Sequence, residues 1–313
     1  MSRPAPIALG IDVGGTKTLF AIVDVTSGLI AEELRIETPK GERSGEGFLE
    51  RVETQARDFV NASSAGSVST IGLGVCELVD LKGAVKSGHR VHWHGLAVRE
   101  KLSAIAPAIV ESDVRAAALA EAHFGAGRDY RDFLYVNIGT GISTCLVIDR
   151  EPYAGARGHA LVIASAPSAM LCPNCDQLHD LILEDIASGA GLAARYREKA
   201  GVASADAGDV LINAESGDLQ ARQVIEEATA LLGSALGMVI GVLDPEALII
   251  GGGLGSSTGF YREQLESKIR RHIWSTETRK LAIRRSELGG EAGVIGAAFA
   301  GYRAHTISSP KLR

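Results

Sequence analysis

IDVGGTKTLFAIVD, residues 11–24, lies without a gap over VNIGTGISTCLVID, residues 136–149. Asp12 falls on Asn137, Gly14 on Gly139, Thr18 on Ser143 and Asp24 on Asp149. Each stretch is an apolar run, a glycine turn and a second apolar run, the pattern of a strand–turn–strand unit. The copies are about 125 residues apart, far beyond the roughly 20–50 of a solenoid repeat, so they mark two related lobes rather than an array.

Outward from these copies, apolar residues at helical spacing fill 48–62, and TIGLGVCELVD reads as a strand. ESDVRAAALAEAHFG predicts a helix over 114–124. After the second copy comes an irregular stretch, 152–177, then helical patterns over 178–199 and 217–243. A strand, ALIIGGGLG, precedes LAIRRSEL and a closing helix of small residues, GGEAGVIGAAFAGYRAH; the tail TISSPKLR is expected to be disordered. Strands alternate with helices throughout, so the class is α/β.

The chain has 313 residues, enough for two domains. Glycine stands out at 37 residues, about 12% against a usual level of about 7%, with no collagen-type period. Lys and Arg number 32 against 38 Asp and Glu, giving a formal charge of −6 with no basic cluster, which argues against nucleic acid as a partner. The longest apolar stretch, residues 230–243, is shorter than the roughly 20 residues of a membrane span, and Asp12 interrupts the first apolar run where a leader would need continuity. The expectation is a soluble, cytoplasmic protein with no membrane partner. Cys76 and Cys145 lie in strand-like apolar runs and read as buried thiols.

Three glycine clusters follow apolar strands: Gly14-Gly15-Thr16, Gly139-Thr140-Gly141 and Gly251-Gly252-Gly253. Glycine lets backbone N–H groups approach an anion, and a neighbouring hydroxyl adds a donor, so such turns suit phosphate. A Walker loop is not formed, because Thr16 intervenes before Lys17, and none of the clusters completes the dinucleotide fingerprint. A two-lobed ATPase with one phosphate hairpin per lobe remains.

In order along the chain, DVGGTKT, ESDVRAAALAE, VNIGTGIS followed by YAGARG, and LDPEALIIGGGLG with AGVIGAA resemble the ROK family of repressors and sugar kinases. The resemblance runs from about Ile7 to Tyr302. It implies the actin-like ATPase (ribonuclease H-like) fold with duplicated sheet domains. Residues 1–114 plus 303–313 would form the acceptor-side lobe and 115–302 the adenosine-side lobe. Family repressors carry an N-terminal helix-turn-helix domain. Here the first strand starts after six residues, which favours a kinase. By resemblance Asp113 is the general base for a sugar hydroxyl, and Asp12 approaches Mg²⁺ through water. Gly14, Gly15, Thr16 and Lys17 form the first ATP phosphate turn and Gly139 and Thr140 the second. Gly251, Gly252 and Gly253 lie by the adenosine. The family also implies a homodimer.

On the acceptor side the chain departs from the family. Cys76-Glu77 stands where sugar kinases read Pro-Gly, His89 where a sugar-contacting Asn is usual, and Ser112 where an Asn precedes the catalytic aspartate. YAGARG runs directly into His159, so His159 matches either the family histidine across a deletion or the sugar-binding glutamate without one. Glu184 resembles the second sugar-binding glutamate. These changes imply an acceptor other than glucose, such as an amino sugar or a cyclitol. The alternative is a non-catalytic sugar sensor or partner-binding protein.

His159, Cys172, Cys175 and His179 give His-x12-Cys-x2-Cys-x3-His, a set that tetrahedral Zn²⁺ accepts. The family's three-cysteine zinc run is broken near Ile182, and the competing reading is two reduced thiols with a histidine on a helix face. His92 and His94 flank Trp93 and read as a solvated loop pair.

Overall fold

The computed structural model describes residues 6–171 and 175–308. The chain begins with β1 (Ile7–Val13), β2 (Lys17–Asp24), β3 (Leu29–Glu37), α1 (Glu46–Ala62) and β4 (Val68–Val75). Next come α2 (Val98–Ser103), β5 (Ala108–Ser112) and α3 (Asp113–Phe124). The middle of the chain supplies β6 (Phe133–Ile138), β7 (Ile142–Ile148), β8 (Glu151–Pro152), β9 (Pro167–Leu171) and β10 (Leu178–Ile182). It continues with α4 (Leu183–Ala187), α5 (Gly189–Ala200), α6 (Ala207–Glu215) and α7 (Leu219–Leu243). The last elements are β11 (Ala247–Gly251), α8 (Phe260–His272), β12 (Ala282–Arg285) and α9 (Ala292–Ser308).

Two compact units result. One holds the residues up to 129 with 147–160 and those from 291 onward; the other holds 130–146 and 161–290. The sequence-based division placed residues 115–129, 147–160 and 291–302 with the second lobe, whereas here they group with the first unit. The small-residue faces of α3 and α9 explain the placement of the two helices, which pack on each other and on β4.

In the first unit the sheet order is β3-β2-β1-β4-β5, with β1–β2 and β2–β3 antiparallel and β1–β4 and β4–β5 parallel. The twofold period of β1 and β4 sorts their side chains. Leu9, Ile11, Val13, Ile71, Leu73 and Val75 point into a core with Phe48, Leu49 and Val52 of α1, together with Trp93 and Leu102. The other face is lined by small residues. A Cβ on Gly72 would lie 1.7 Å from the Ala297 carbonyl oxygen of α9, and one on Gly10 would lie 2.0 Å from that of Val294. Glycine here brings a helix backbone directly onto a strand.

The second sheet has the order β12-β11-β6-β7-β8. It corresponds strand for strand to the first, with β6 in the place of β1, β7 of β2, β11 of β4 and β12 of β5, and β6–β11 and β11–β12 are parallel as expected. The duplication seen between residues 11–24 and 136–149 is thus carried by the whole sheet. Leu134, Val136, Leu248 and Ile250 pack in one core with Ile225, Leu232, Leu236 and Ile240 of α7 and with Leu265 and Ile269 of α8.

Some elements differ from the sequence reading. Residues 178–182, expected to be helical, form β10, antiparallel to β9; a short apolar run has no period that separates strand from helix. The closing helix continues through Ser308, into the expected disordered tail. Helix α7, over the stretch expected to be helical, is 25 residues long, and by length and composition it could cross a membrane, although 56% of its most apolar window is buried. Gly233 and Gly237 seat it against Lys268, Ile269 and His272 of α8, the packing of a core helix.

Candidate active site

Asp113 is the first residue of α3, directly after β5, and Asp12 is the last residue but one of β1. Parallel pairing of β1 with β4 and of β4 with β5 brings these strand ends together, with Asp12 opposite Gly74 and Ser112 opposite Val75. Gly74 is the floor between the two carboxylates: a Cβ there would lie 3.4 Å from the Asp113 Cα and 3.8 Å from Asp12 Oδ1. On the other side, a Cβ on Gly293 would come within 2.6 Å of Asp12 Oδ2. Both aspartates are half-buried as residues.

This setting favours protons. Burial, followed by the charge of Asp12 and then of Glu77, pushes the Asp113 carboxyl up to about 7, against the opposing effects of a Val114 N–H bond and Arg115. Burial lifts Asp12 to about 6, with Lys17 acting in the other direction. Burial and the same carboxylates hold the Cys76 thiol well above its ordinary range, so it is a neutral, unreactive neighbour. Asp113 Oδ1 accepts the Val114 N–H at 2.6 Å. Ser112 is buried and precedes α3 without a side-chain cap bond.

Arg115, which sequence reasoning passed over, braces this corner. It is buried and ion-paired to Glu111, it donates to the Gly158 carbonyl, and its Nη2 lies 3.0 Å from the Val79 carbonyl oxygen. The only sequence signal for it was Glu111 four residues earlier. Gly158 has φ +81° and lies against Val79 and Asp80, so the segment carrying His159 is held to the start of α3. His159 is partly buried, and its Nε2 is enclosed with no hydrogen-bond partner among the described residues.

Glu77 is buried after β4, but its carboxylate faces the chain rather than an open space. Oε1 accepts the N–H groups of Arg90 at 2.5 Å and Val91 at 2.8 Å; Oε2 accepts that of His89 at 3.1 Å and the Ser87 hydroxyl. Glu77, expected from sequence as a substrate contact, thus has both carboxylate oxygens bonded within its own chain. His89 is exposed on that loop and, with Lys86, His92 and His94, lines a cleft of about 590 Å³.

The first glycine turn closes with the Gly14 N–H bonded to the Lys17 carbonyl at 3.0 Å, leaving Thr16 and Lys17 exposed. The Arg90 side chain runs beside Gly15, 3.6 Å from where a Cβ would stand.

In the second unit, the Gly139 N–H bonds the Gly141 carbonyl at 2.9 Å and Thr140 is exposed. Glu184, read from sequence as a sugar contact, accepts the Ile142 N–H at 2.8 Å. Its Oε2 would be 2.6 Å from a Cβ on Gly141, so it frames this turn. Gly252 has φ +82° and abuts the Ile138 carbonyl, which also accepts the N–H groups of Leu254 and Gly255 at 3.0 Å. The glycine run thus wraps the end of β6.

For the zinc set, Cys172 lies outside the described residues, Cys175 is exposed, and residue 179 is on β10. Among the described residues no group of three His, Cys, Asp or Glu side chains has the geometry to hold a metal ion.

A family model described as "ROK family" matches residues 8–301. The chain is 29% identical over 307 residues to the bifunctional enzyme NanE/NanK of Brucella melitensis, covering 95% of this chain and 54% of that protein. It therefore spans about half the length of that relative. It is 25% identical to a glucokinase of Streptomyces coelicolor, covering 93% of this chain and 96% of the relative. Among solved structures, a ROK family glucokinase from Streptomyces griseus in complex with glucose and AMPPNP superposes with a TM-score of 0.81 at 25% identity, covering 95% of this chain and 99% of that one. The two-sheet architecture is that of the actin-like ATPase fold.

Proposed function

The chain belongs to the ROK family, and from that premise we propose that it is an ATP-dependent kinase that transfers a phosphoryl group to a hydroxyl of a sugar or sugar-like polyol. The observation that carries this reading is Asp113, a carboxylate at the start of a helix whose proton affinity is raised to about 7. A general base works best when its pKa is near the working pH. A carboxylate so placed would be able to take a proton from an acceptor hydroxyl within hydrogen-bond reach. The relatives named above, a glucokinase and a NanE/NanK enzyme, support a sugar acceptor.

Phosphoryl transfer is mostly positioning and neutralisation of charge. Gly14, Gly15, Thr16 and Lys17 in the first unit, and Gly139, Thr140 and Gly251 to Gly253 in the second, are the residues proposed to engage ATP. Magnesium arriving with ATP would add positive charge at the phosphate oxygens. Asp12 would hold it through water, since magnesium retains much of its hydration. The Asp12 carboxylate fits that role: Lys17 is near enough for its charge to act on it, and glycine at 293 keeps clear the space beside Oδ2 that a Cβ would fill. Zinc forms no part of this proposal.

Asp113→Asn tests the assignment. The amide keeps the shape and the bond from Val114 but cannot take a proton, so kcat should fall by at least about a hundredfold while ATP binding by calorimetry is retained. Turnover within a few-fold of the unaltered protein would remove Asp113 from the role of base.

A further inference from the structure

We propose that Glu77 is a positioning residue for the acceptor: it shapes the loop 87–91 that carries His89, and it makes no substrate contact itself. The inference rests on the sugar-kinase reading above and adds to it a determinant of acceptor affinity.

The geometry is specific to this loop. Three consecutive backbone N–H groups, those of His89, Arg90 and Val91, converge on one buried carboxylate. Successive N–H groups turned to one side form a concavity that suits an anion. Ser87 adds a fourth donor, and its own orientation is fixed because its Oγ accepts the Leu78 N–H at 2.8 Å. The ends of the loop are closed by a bridge between Val79 and Val85 and by the Lys86 N–H on the Leu78 carbonyl at 2.7 Å. Beyond it, Val91 and Trp93 are buried, with Trp93 against Phe48.

Glu77 is thus the one side chain onto which these four donors fold, and the carboxylate holds His89 exposed beside the cleft with Lys86, His92 and His94. It also holds Arg90, whose stem lies along Gly15 of the first glycine turn. Glu77 is close enough to Asp113 for its charge to act there. A loop anchored next to the base and beside the phosphate turn is in place to orient an acceptor, and its anchor must be a hydrogen-bond acceptor on both oxygens. Glutamine cannot meet this requirement, because its NH₂ group would face an N–H donor.

The experiment compares the unaltered protein, Glu77→Gln and Ser87→Ala, with acceptor kinetics on whichever sugar the unaltered protein phosphorylates and amide hydrogen exchange across residues 87–94. In Glu77→Gln the acceptor KM should rise by about tenfold or more, with a smaller change in kcat, and the amides of 89–91 should exchange faster. Ser87→Ala removes one donor of four and should shift both readouts in the same direction by less, which keeps the test open if Glu77→Gln does not fold. A fall in kcat at unchanged KM means loss of folded enzyme only and overturns the proposal, as do unchanged exchange rates. Absence of turnover in the unaltered protein is a separate result: it overturns the kinase reading and with it the acceptor role of Glu77.

Discussion

Burial and the charge of Asp12 act on Asp113 in one direction, both favouring the protonated carboxyl. The folded state therefore holds this proton more tightly than the unfolded chain, whose value is near the ordinary 3.8. Stability from this group is complete below about pH 4 and is lost as pH rises through about 7, because ionising the native carboxyl puts a charge in a buried place and beside Asp12. Asp113→Asn removes that titration. Its melting temperature relative to the unaltered protein should rise by on the order of a few degrees between pH 4.5 and pH 8 in metal-free buffer. A difference that does not move with pH would mean that Asp113 is not held in this setting. Asp113 could be placed from sequence because its motif is local, with strand end, proposed base and helix start adjacent in ESDVRAAALAE. Glu77 and Glu184 could be located but not understood. Their partners, the N–H groups of 89–91 and of Ile142, lie 12–14 and 42 residues away, where no local pattern reports on them. Arg115 escaped notice because an arginine in a helix is ordinarily solvated, and only the folded chain brings Val79 and Gly158 to it.

At the scale of elements, the two sheets follow from the strand patterns, while the placement of α9 follows from residues with no side chain. Gly72 and Ala297 are in backbone contact, so Gly72→Ala forces a strand and a helix apart with no flexible group to yield. That change should cost about 3 kcal/mol in urea unfolding, at the upper end for overpacking. Gly241 on α7 is exposed with open space where a Cβ would go, and Gly241→Ala should instead add about 0.5–1 kcal/mol through helix propensity. Equal effects from the two substitutions would contradict the packing described. The glycine count was visible in composition, but composition cannot tell a turn glycine from one that seats a helix. The strand β10 was misread for a related reason: a five-residue run of mixed apolar spacing fits either element until its partner β9 is known.

At the scale of the whole molecule, the matching orders of the two sheets make the duplication a property of the architecture and not of one hairpin. The same topology carries a glycine turn after the first strand of each sheet, at Gly14 to Thr16 and at Gly139 to Gly141. What differs between the copies is chemical. Asp12 in the first copy is Asn137 in the second, so one turn has a carboxylate beside it and the other an amide. This asymmetry, with Asp113 next to Asp12, is what turns a repeated scaffold into a proposed kinase. It is tested most directly by ADP release from the unaltered protein with ATP and Mg²⁺ over a panel of hexoses, amino sugars and cyclitols. A kinase of this family should release ADP only when an accepted sugar or polyol is present. Silence across the panel from folded protein that binds ATP would contradict the assignment.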